Sequence, residues 1–246
     1  MATKNDSIVT PAIVLRRADY GDYDRMLTII TPGHGRIEAV ARGCRRLKSP
    51  LVNAAEIFTS GEFTLYEGKG RVSVEMCQIS ESFYPLRSDY DRLTHGVYWL
   101  RLLDALVLPD MPLQQVFMMT LRALAYLAYS ELPAPLITFA FESHLMELEG
   151  MSPRVDSCVK CGRPLEDEAR FDSIRGGAVC TGCEYTAPRI SYGARRILFR
   201  LPVTKFAAFE KLGDHPDWPE AAKLMRNYIM KRINIPEKFC PPLAKK

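Results

Sequence analysis

Four cysteines in two pairs carry the strongest chemical signal in this 246-residue chain. Cys158-Val159-Lys160-Cys161 and Cys180-Thr181-Gly182-Cys183 form two C-x2-C units with 18 residues between them. Two residues between paired cysteines let one tight turn aim both sulfurs at one point. Two such knuckles facing each other make the tetrahedral four-sulfur site that Zn2+ accepts. Gly162 follows the first knuckle and Gly182 lies inside the second, where a chain turning tightly around a metal calls for glycine. Iron is bound by the same thiolate geometry. Four thiolates fill the shell and leave no position for water, so the predicted metal is structural. A zinc-deaminase centre is excluded, because none of His34, His95, His144 or His215 is followed two positions later by Glu. The other three cysteines, Cys44, Cys77 and Cys240, read as small buried hydrophobes.

The second signal is a run of cations. Arg36, Arg42, Arg45, Arg46 and Lys48 have Glu38 as the only acidic residue within 36–48. Beside strands that carry exposed aromatics, such a stretch tracks a phosphate backbone while bases stack. Arg16 and Arg17 extend it, and all seven are candidate DNA contacts. Tyr20, Tyr23, Phe58 and Tyr66 are of the type that stacks, although aromatics in a small barrel more often fill its core. A second basic patch is expected from Arg195, Arg196, Arg200, Lys223, Arg226, Lys231 and Arg232. The net charge of +4 does not by itself define a nucleic-acid binder, but its distribution is uneven. Basic and acidic residues number 11 and 10 before position 83, 4 and 8 from 83 to 150, and 18 and 11 thereafter. That asymmetry points to different partners for different faces. Asp19, Asp22 and Asp24 offer carboxylates to a metal-dependent nuclease, but they sit in a turn, where acidic side chains commonly serve backbone hydrogen bonds. No phosphate-binding loop and no nucleophile motif is visible, so the expectation is a protein that is not an enzyme.

The elements that must position these residues change character along the chain. Period-two alternation predicts strands over 12–16, 26–30, 36–42, 62–66 and 71–76, separated by turn residues at 19–22, 32–35 and 67–70. Five short strands with one longer connection, between the third and fourth, suit a small closed barrel of the OB type. From Tyr90 the spacing becomes helical. One helix ends before Pro109, a second runs from Leu113 to Ala128, and a third opens near Pro135 and stops at Gly150. A loop-rich insert then holds the cysteines. Helical spacing resumes at 194–201, 203–212 and 220–233, before a frayed Pro-Pro-Leu-Ala-Lys-Lys tail. The predicted fold class is α+β: an N-terminal OB-fold β-barrel over 1–82, an α-helical domain over 83–153 and 191–246, and a four-cysteine zinc-ribbon-like insert over 154–190. No apolar run is long enough for a membrane span, and the first residues lack a secretory pattern, so a cytoplasmic protein is expected.

The order of parts resembles one family. Ile13–Arg17, Asp22–Leu27, Thr31-Pro32, Gly35-Arg36-Ile37 and Gly43-Cys44-Arg45-Arg46 are similar to the opening of the RecO family, with Cys44 standing where a small residue such as Ala is expected. The stretch 139–165, with its first knuckle, and 171–183, with Gly176-Gly177 and the second, is similar to that family's later motifs. The resemblance covers about residues 8–190 well and the C-terminal helices loosely. It implies binding of single- and double-stranded DNA, annealing of complementary strands, and partnership with RecR and with the acidic C-terminal tail of SSB. In that pathway RecA is helped to displace SSB, in association with the bacterial nucleoid. A tail with acidic residues and an apolar end requires an apolar groove rimmed by Arg or Lys, with Arg101, Arg122, Arg195 and Arg196 as candidates. A zinc-ribbon transcription or RNA-binding factor is the alternative reading.

Overall fold

A computed structural model describes residues 7–68, 70–165 and 168–243. Strands β1 (Ser7–Tyr20), β2 (Asp24–Thr31), β3 (Gly35–Ala41), β4 (Ser60–Gly68) and β5 (Arg71–Glu81) close into a barrel in the order β1-β2-β3-β5-β4. Every pairing is antiparallel except β3 with β5. This is the OB-like barrel expected. β1 is much longer than its alternating core predicted, because it serves two partners. Residues 7–13 pair with β4 and residues 13–20 with β2. A register shift between Val14 and Arg16 accommodates the change, since an extra residue bends a strand and increases its twist.

The barrel core is built from alternate positions: Ala12, Val14, Leu27, Ile29, Ala39, Ala41, Phe63, Leu65 and Val74. The connection from β3 to β4 is not a free loop. It sends Cys44, Leu51, Ala54 and Ala55 into the same core. Its end is fastened to β1, where Phe58 N donates to Val14 O and Val14 N to Thr59 O, both at 3.0 Å. Phe58 is fully buried and adopts a left-handed backbone, φ +69°, to make that turn.

Helices α1 (Tyr90–Leu106), α2 (Gln114–Tyr129), α3 (Ala134–Leu148), α4 (Tyr192–Arg200) and α5 (Trp218–Ile233) follow. A three-stranded sheet, β7-β6-β8, is formed by β6 (Ala169–Asp172), β7 (Gly177–Cys180) and β8 (Arg189–Ile190). The chain divides into two compact units. One holds residues up to Tyr90 with Trp99–Leu124, and the other holds Asp91–Tyr98 with Ala125 onward. In the first, the segment after α1 is stitched to the β2–β3 turn. Arg36 N donates to Leu108 O, Asp110 N to His34 O and Leu113 N to Pro32 O. Gly35, at φ +66°, lies so close that a β-carbon there would sit 2.3 Å from Leu108 O.

Three expectations need correction in the second unit. The segment 203–212 is not an α-helix but short 3-10 turns, Leu201–Val203 and Phe206–Leu212, broken at extended Thr204. Pro202 lacks the N–H that a continuing helix would use. Phe206 and Phe209 pack against His144 instead, with ring centroids 5.1 and 5.5 Å away. Arg195 and Arg226 do not belong to a surface patch, being buried at 6% and 3% exposure. The guanidinium of Arg226 pairs with fully buried Glu142, which also accepts from the Tyr98 hydroxyl at 2.7 Å. Finally, the tail is anchored at its start, where buried Pro241 accepts from Arg226 Nη1 at 2.9 Å. Residues 244–246 lie outside the described residues.

Candidate nucleic-acid interface and metal centre

The four paired cysteines converge. Their sulfurs all lie within 4.8 Å of one another, and Cys161 Sγ to Cys180 Sγ is 3.8 Å. A tetrahedron with metal–sulfur bonds of about 2.3 Å has edges of about 3.8 Å, so the donor set fits a tetrahedral thiophilic cation. Each knuckle is a turn closed by its own backbone. Gly162 N donates to Cys158 O at 2.8 Å, and Cys183 N to Cys180 O at 3.0 Å. Gly162 adopts φ +76°, whereas Gly182 is outside the left-handed region, so only the first glycine is demanded by the backbone. Lys160 Nζ reaches across to Cys183 O at 2.9 Å and ties the knuckles together. Burial pushes the Cys158 thiol up, but backbone N–H groups of Cys180, Cys161 and Lys160 outweigh it and bring the group down to about 6. A sulfur that accepts several N–H bonds is suited to the thiolate form a metal needs, whereas hydrogen bonding with the Cys180 and Cys161 side chains pushes the Cys183 thiol the other way, up to about 12.

The predicted DNA contacts fall into three places. Arg42, Arg45, Arg46 and Lys48 lie together in the segment that leaves β3, all exposed. Arg46 sits over the Tyr23 ring, 5.0 Å from its centroid. Arg45 reaches the Gly21 carbonyl at 3.4 Å and the Asp19 carboxylate at 3.5 Å. Arg16 and Arg17 lie on β1, opposite Thr28 and Leu27. Arg17 is bonded to Glu56 at 2.7 Å, while Arg16 is more loosely placed, 3.5 Å from Glu38. Arg36 lies at the far end of β3 from Arg42, about 20 Å away at the strand rise. There it donates to the Asp104 carbonyl at 2.9 Å and to its carboxylate at 3.4 Å.

Of the four aromatics singled out, Phe58 is core and Tyr66 is half-buried, while Tyr20 and Tyr23 are exposed at 41% and 51%. Sequence reasoning missed Arg71 as part of this surface. It is exposed at the start of β5 and donates to the Tyr20 hydroxyl at 2.8 Å. Its place just after two closely spaced glycines, Gly68 and Gly70, is the signal the sequence offers, because the pairing joins residues 51 positions apart. The carboxylates Asp19, Asp22 and Asp24 do not converge on a metal. Asp24 accepts from Gly43 N at 2.7 Å and Asp19 faces Arg25 and Arg45, as turn chemistry predicts.

The second unit holds a pocket of about 560 Å³ between α4 and the 3-10 turn that follows it. Buried Ile197, Leu201 and Phe209 line it, with exposed Arg196, Arg200 and Lys211 at its edge. Among the expected acceptors of an acidic tail, Arg196 lines this pocket and Arg195 does not. Arg101 and Arg122 lie on α1 and α2, in the first unit.

Comparison with known proteins agrees with this arrangement. Residues 5–83 match the family model described as Recombination protein O N terminal, and residues 87–238 match Recombination protein O C terminal. The chain is 31% identical over 230 residues to a DNA repair protein RecO from Acetivibrio thermocellus, covering 91% of each chain. It is 32% identical over 231 residues to a DNA repair protein RecO from Alkaliphilus metalliredigens, covering 92% of this chain and 94% of that one. With a five-stranded barrel, five α-helices and a four-cysteine cluster between the third and fourth among its described residues, the chain belongs to the RecO family of DNA repair proteins.

Proposed function

We propose that this protein is a recombination mediator that binds single- and double-stranded DNA and anneals complementary strands. With RecR, it helps RecA load onto DNA coated by SSB. It acts by binding rather than by turning over a substrate, in the bacterial cytoplasm at the nucleoid. No described helix is long and apolar enough to cross a membrane. The observation that carries the reading is the exposed cluster Arg42, Arg46 and Lys48 beside the β1–β2 tip, none of them paired with a described carboxylate. Cations left free in this way release counterions when they meet phosphates, which is the main source of affinity for DNA. Residues 1–82 carry that contact, with Arg16, Arg17 and Arg45 contributing at its margin and Arg36 holding the barrel to the 99–124 segment. The Cys158, Cys161, Cys180 and Cys183 site takes Zn2+, which staples the 154–190 insert within the helical part formed by 83–153 and 191–246.

The acidic, apolar-ended tail of SSB is assigned to the pocket lined by Ile197, Leu201 and Phe209. Its apolar lining suits the tail's end, and Arg196, Arg200 and Lys211 suit the carboxylates. The test is annealing of two complementary oligonucleotides coated with a cognate SSB, with no nucleotide present. Acceleration by the protein, lost on Arg42→Glu/Arg46→Glu, supports the reading. No acceleration by folded, metal-loaded protein overturns it, and tighter binding of structured RNA than of DNA would favour the transcription or RNA-binding alternative.

A further inference from the structure

The tip where β1 meets β2 carries two exposed tyrosines, each with an arginine against its ring. Arg46 lies 5.0 Å from the centroid of Tyr23, and Arg71 lies 6.0 Å from that of Tyr20. The barrel's phenylalanines behave differently, since Phe58 and Phe63 are fully buried. Packing therefore does not account for placing two large rings in water. Tyr20 and Tyr23 are 41% and 51% exposed, so each leaves a large part of its ring open to solvent beside its arginine.

The tip is also held in place without any ligand. Gly43 N donates to Asp24 Oδ1 at 2.7 Å, Arg45 N donates to Tyr23 O at 3.0 Å, and Arg71 Nη1 donates to the Tyr20 hydroxyl at 2.8 Å. A partner stacking on these rings need not supply the ordering of the loop, which favours binding. The two cations against the rings are unlike their neighbours, of which Arg45 at the same tip faces Asp19. Arg17 and Arg25 share Glu56, whereas Arg46 and Arg71 pair with no described carboxylate. Free cations beside open aromatic faces are what a single strand recognises, with phosphates on the cations and bases on the rings. A duplex keeps its base faces inside the stack and offers only its backbone.

We infer that Tyr20 and Tyr23, backed by Arg71 and Arg46, form a stacking platform for unpaired bases that makes the barrel prefer single-stranded DNA to duplex. The inference rests on the proposed DNA-binding function and adds the residues that select the substrate. Each ring contributes about five-fold or more to affinity at the low end of base–aromatic stacking.

The experiment uses the full chain and fluorescence anisotropy. The probes are an oligothymidylate, an abasic oligonucleotide of equal length and charge, and a duplex. The wild-type protein is expected to prefer the oligothymidylate to the abasic strand. Tyr20→Leu/Tyr23→Leu should bind both single strands alike while keeping its salt dependence, because the phosphate contacts stay. Tyr20→Phe/Tyr23→Phe keeps both rings and should keep the preference, which separates stacking from a loss of folding. A wild-type protein indifferent to bases, or a Leu variant that still discriminates, overturns the platform alone. Binding to none of the three probes overturns the DNA-binding function itself.

Discussion

The buried pair Glu142–Arg226 offers a quantitative test of how the helical unit is held together. Glu142 on α3 is fully buried, and Arg226 on α5 is 3% exposed. Glu142 also accepts from Tyr98 of α1, and Arg226 donates to Pro241 of the C-terminal segment, so one node ties three helices and the tail. Removing one partner of such a pair strands the other charge in the interior, at about 3–5 kcal/mol. Glu142→Ala would also leave the Tyr98 hydroxyl without its acceptor, adding about 1–3 kcal/mol. The sum approaches the whole stability of an ordinary domain, about 5–15 kcal/mol, so a milder change is more informative. Glu142→Gln keeps an oxygen for Tyr98 and removes only the charge, for which about 2–3 kcal/mol is expected. Arg226→Met fills much of the same volume, and the double variant removes both charges together. Its cost should fall short of the sum of the single costs by at least about 2 kcal/mol, since neither charge is then orphaned. Urea unfolding followed by far-UV circular dichroism measures each corner of the cycle. Single costs below about 1 kcal/mol, or costs additive within about 0.5 kcal/mol, would refute the assignment of this node as a coupled ion pair.

Three further expectations address other parts of the molecule. His95 is fully buried beside Thr138, and burial, assisted by the Arg226 charge, pushes it down to about 3. The folded state therefore refuses a proton that the unfolded chain takes up below about pH 6.5. Stability contributed above that pH is lost as pH falls toward 3, by about 2 kcal/mol between pH 7 and pH 5. Unfolding of the wild type and of His95→Gln at the two pH values should differ by that amount, and parallel losses would sink the idea. Stripping the cysteine site with a chelator should expose the amides of β6 and β7 to hydrogen exchange while those of β1–β5 keep their protection, because metal binding at such a site is folding energy. Unchanged exchange at β6 and β7 would mean the insert stands without metal. Gly35→Ala should cost at least about 1–2 kcal/mol from its left-handed backbone, and more from the clash with Leu108 O 2.3 Å away. A neutral substitution in urea unfolding would show that the segment after α1 can lift off the β2–β3 turn without loss.

What local chemistry specifies was legible from the residues. Alternation with period two marked five strands, because a strand with one face in a barrel core must alternate. The C-x2-C spacing marked both knuckles, because a turn of that length is what aims two sulfurs at one metal. Helical spacing, Pro135 and Gly150 marked α3, since proline suits a helix's first turn and Gly150 sits at φ +65° beyond its last. The same local reasoning failed at 203–212, where apolar residues at helical spacing pack against His144 through 3-10 turns.

Which charges meet a counter-charge inside the protein was decided only by the tertiary structure. Arg36 and Arg226 look like Arg42 and Arg46 in a sequence, yet their surroundings depend on groups that the fold brings to them. Asp104 is 68 positions from Arg36, and Glu142 is 84 from Arg226. The pairing of Arg71 with Tyr20 has the same origin, since barrel closure brings the start of β5 within side-chain reach of the end of β1. A side chain's type and its neighbours in sequence determine which secondary element it joins and what chemistry it offers. Whether that chemistry faces solvent, a core or a counter-charge is set by contacts that close only when distant segments meet, and those are non-local by nature.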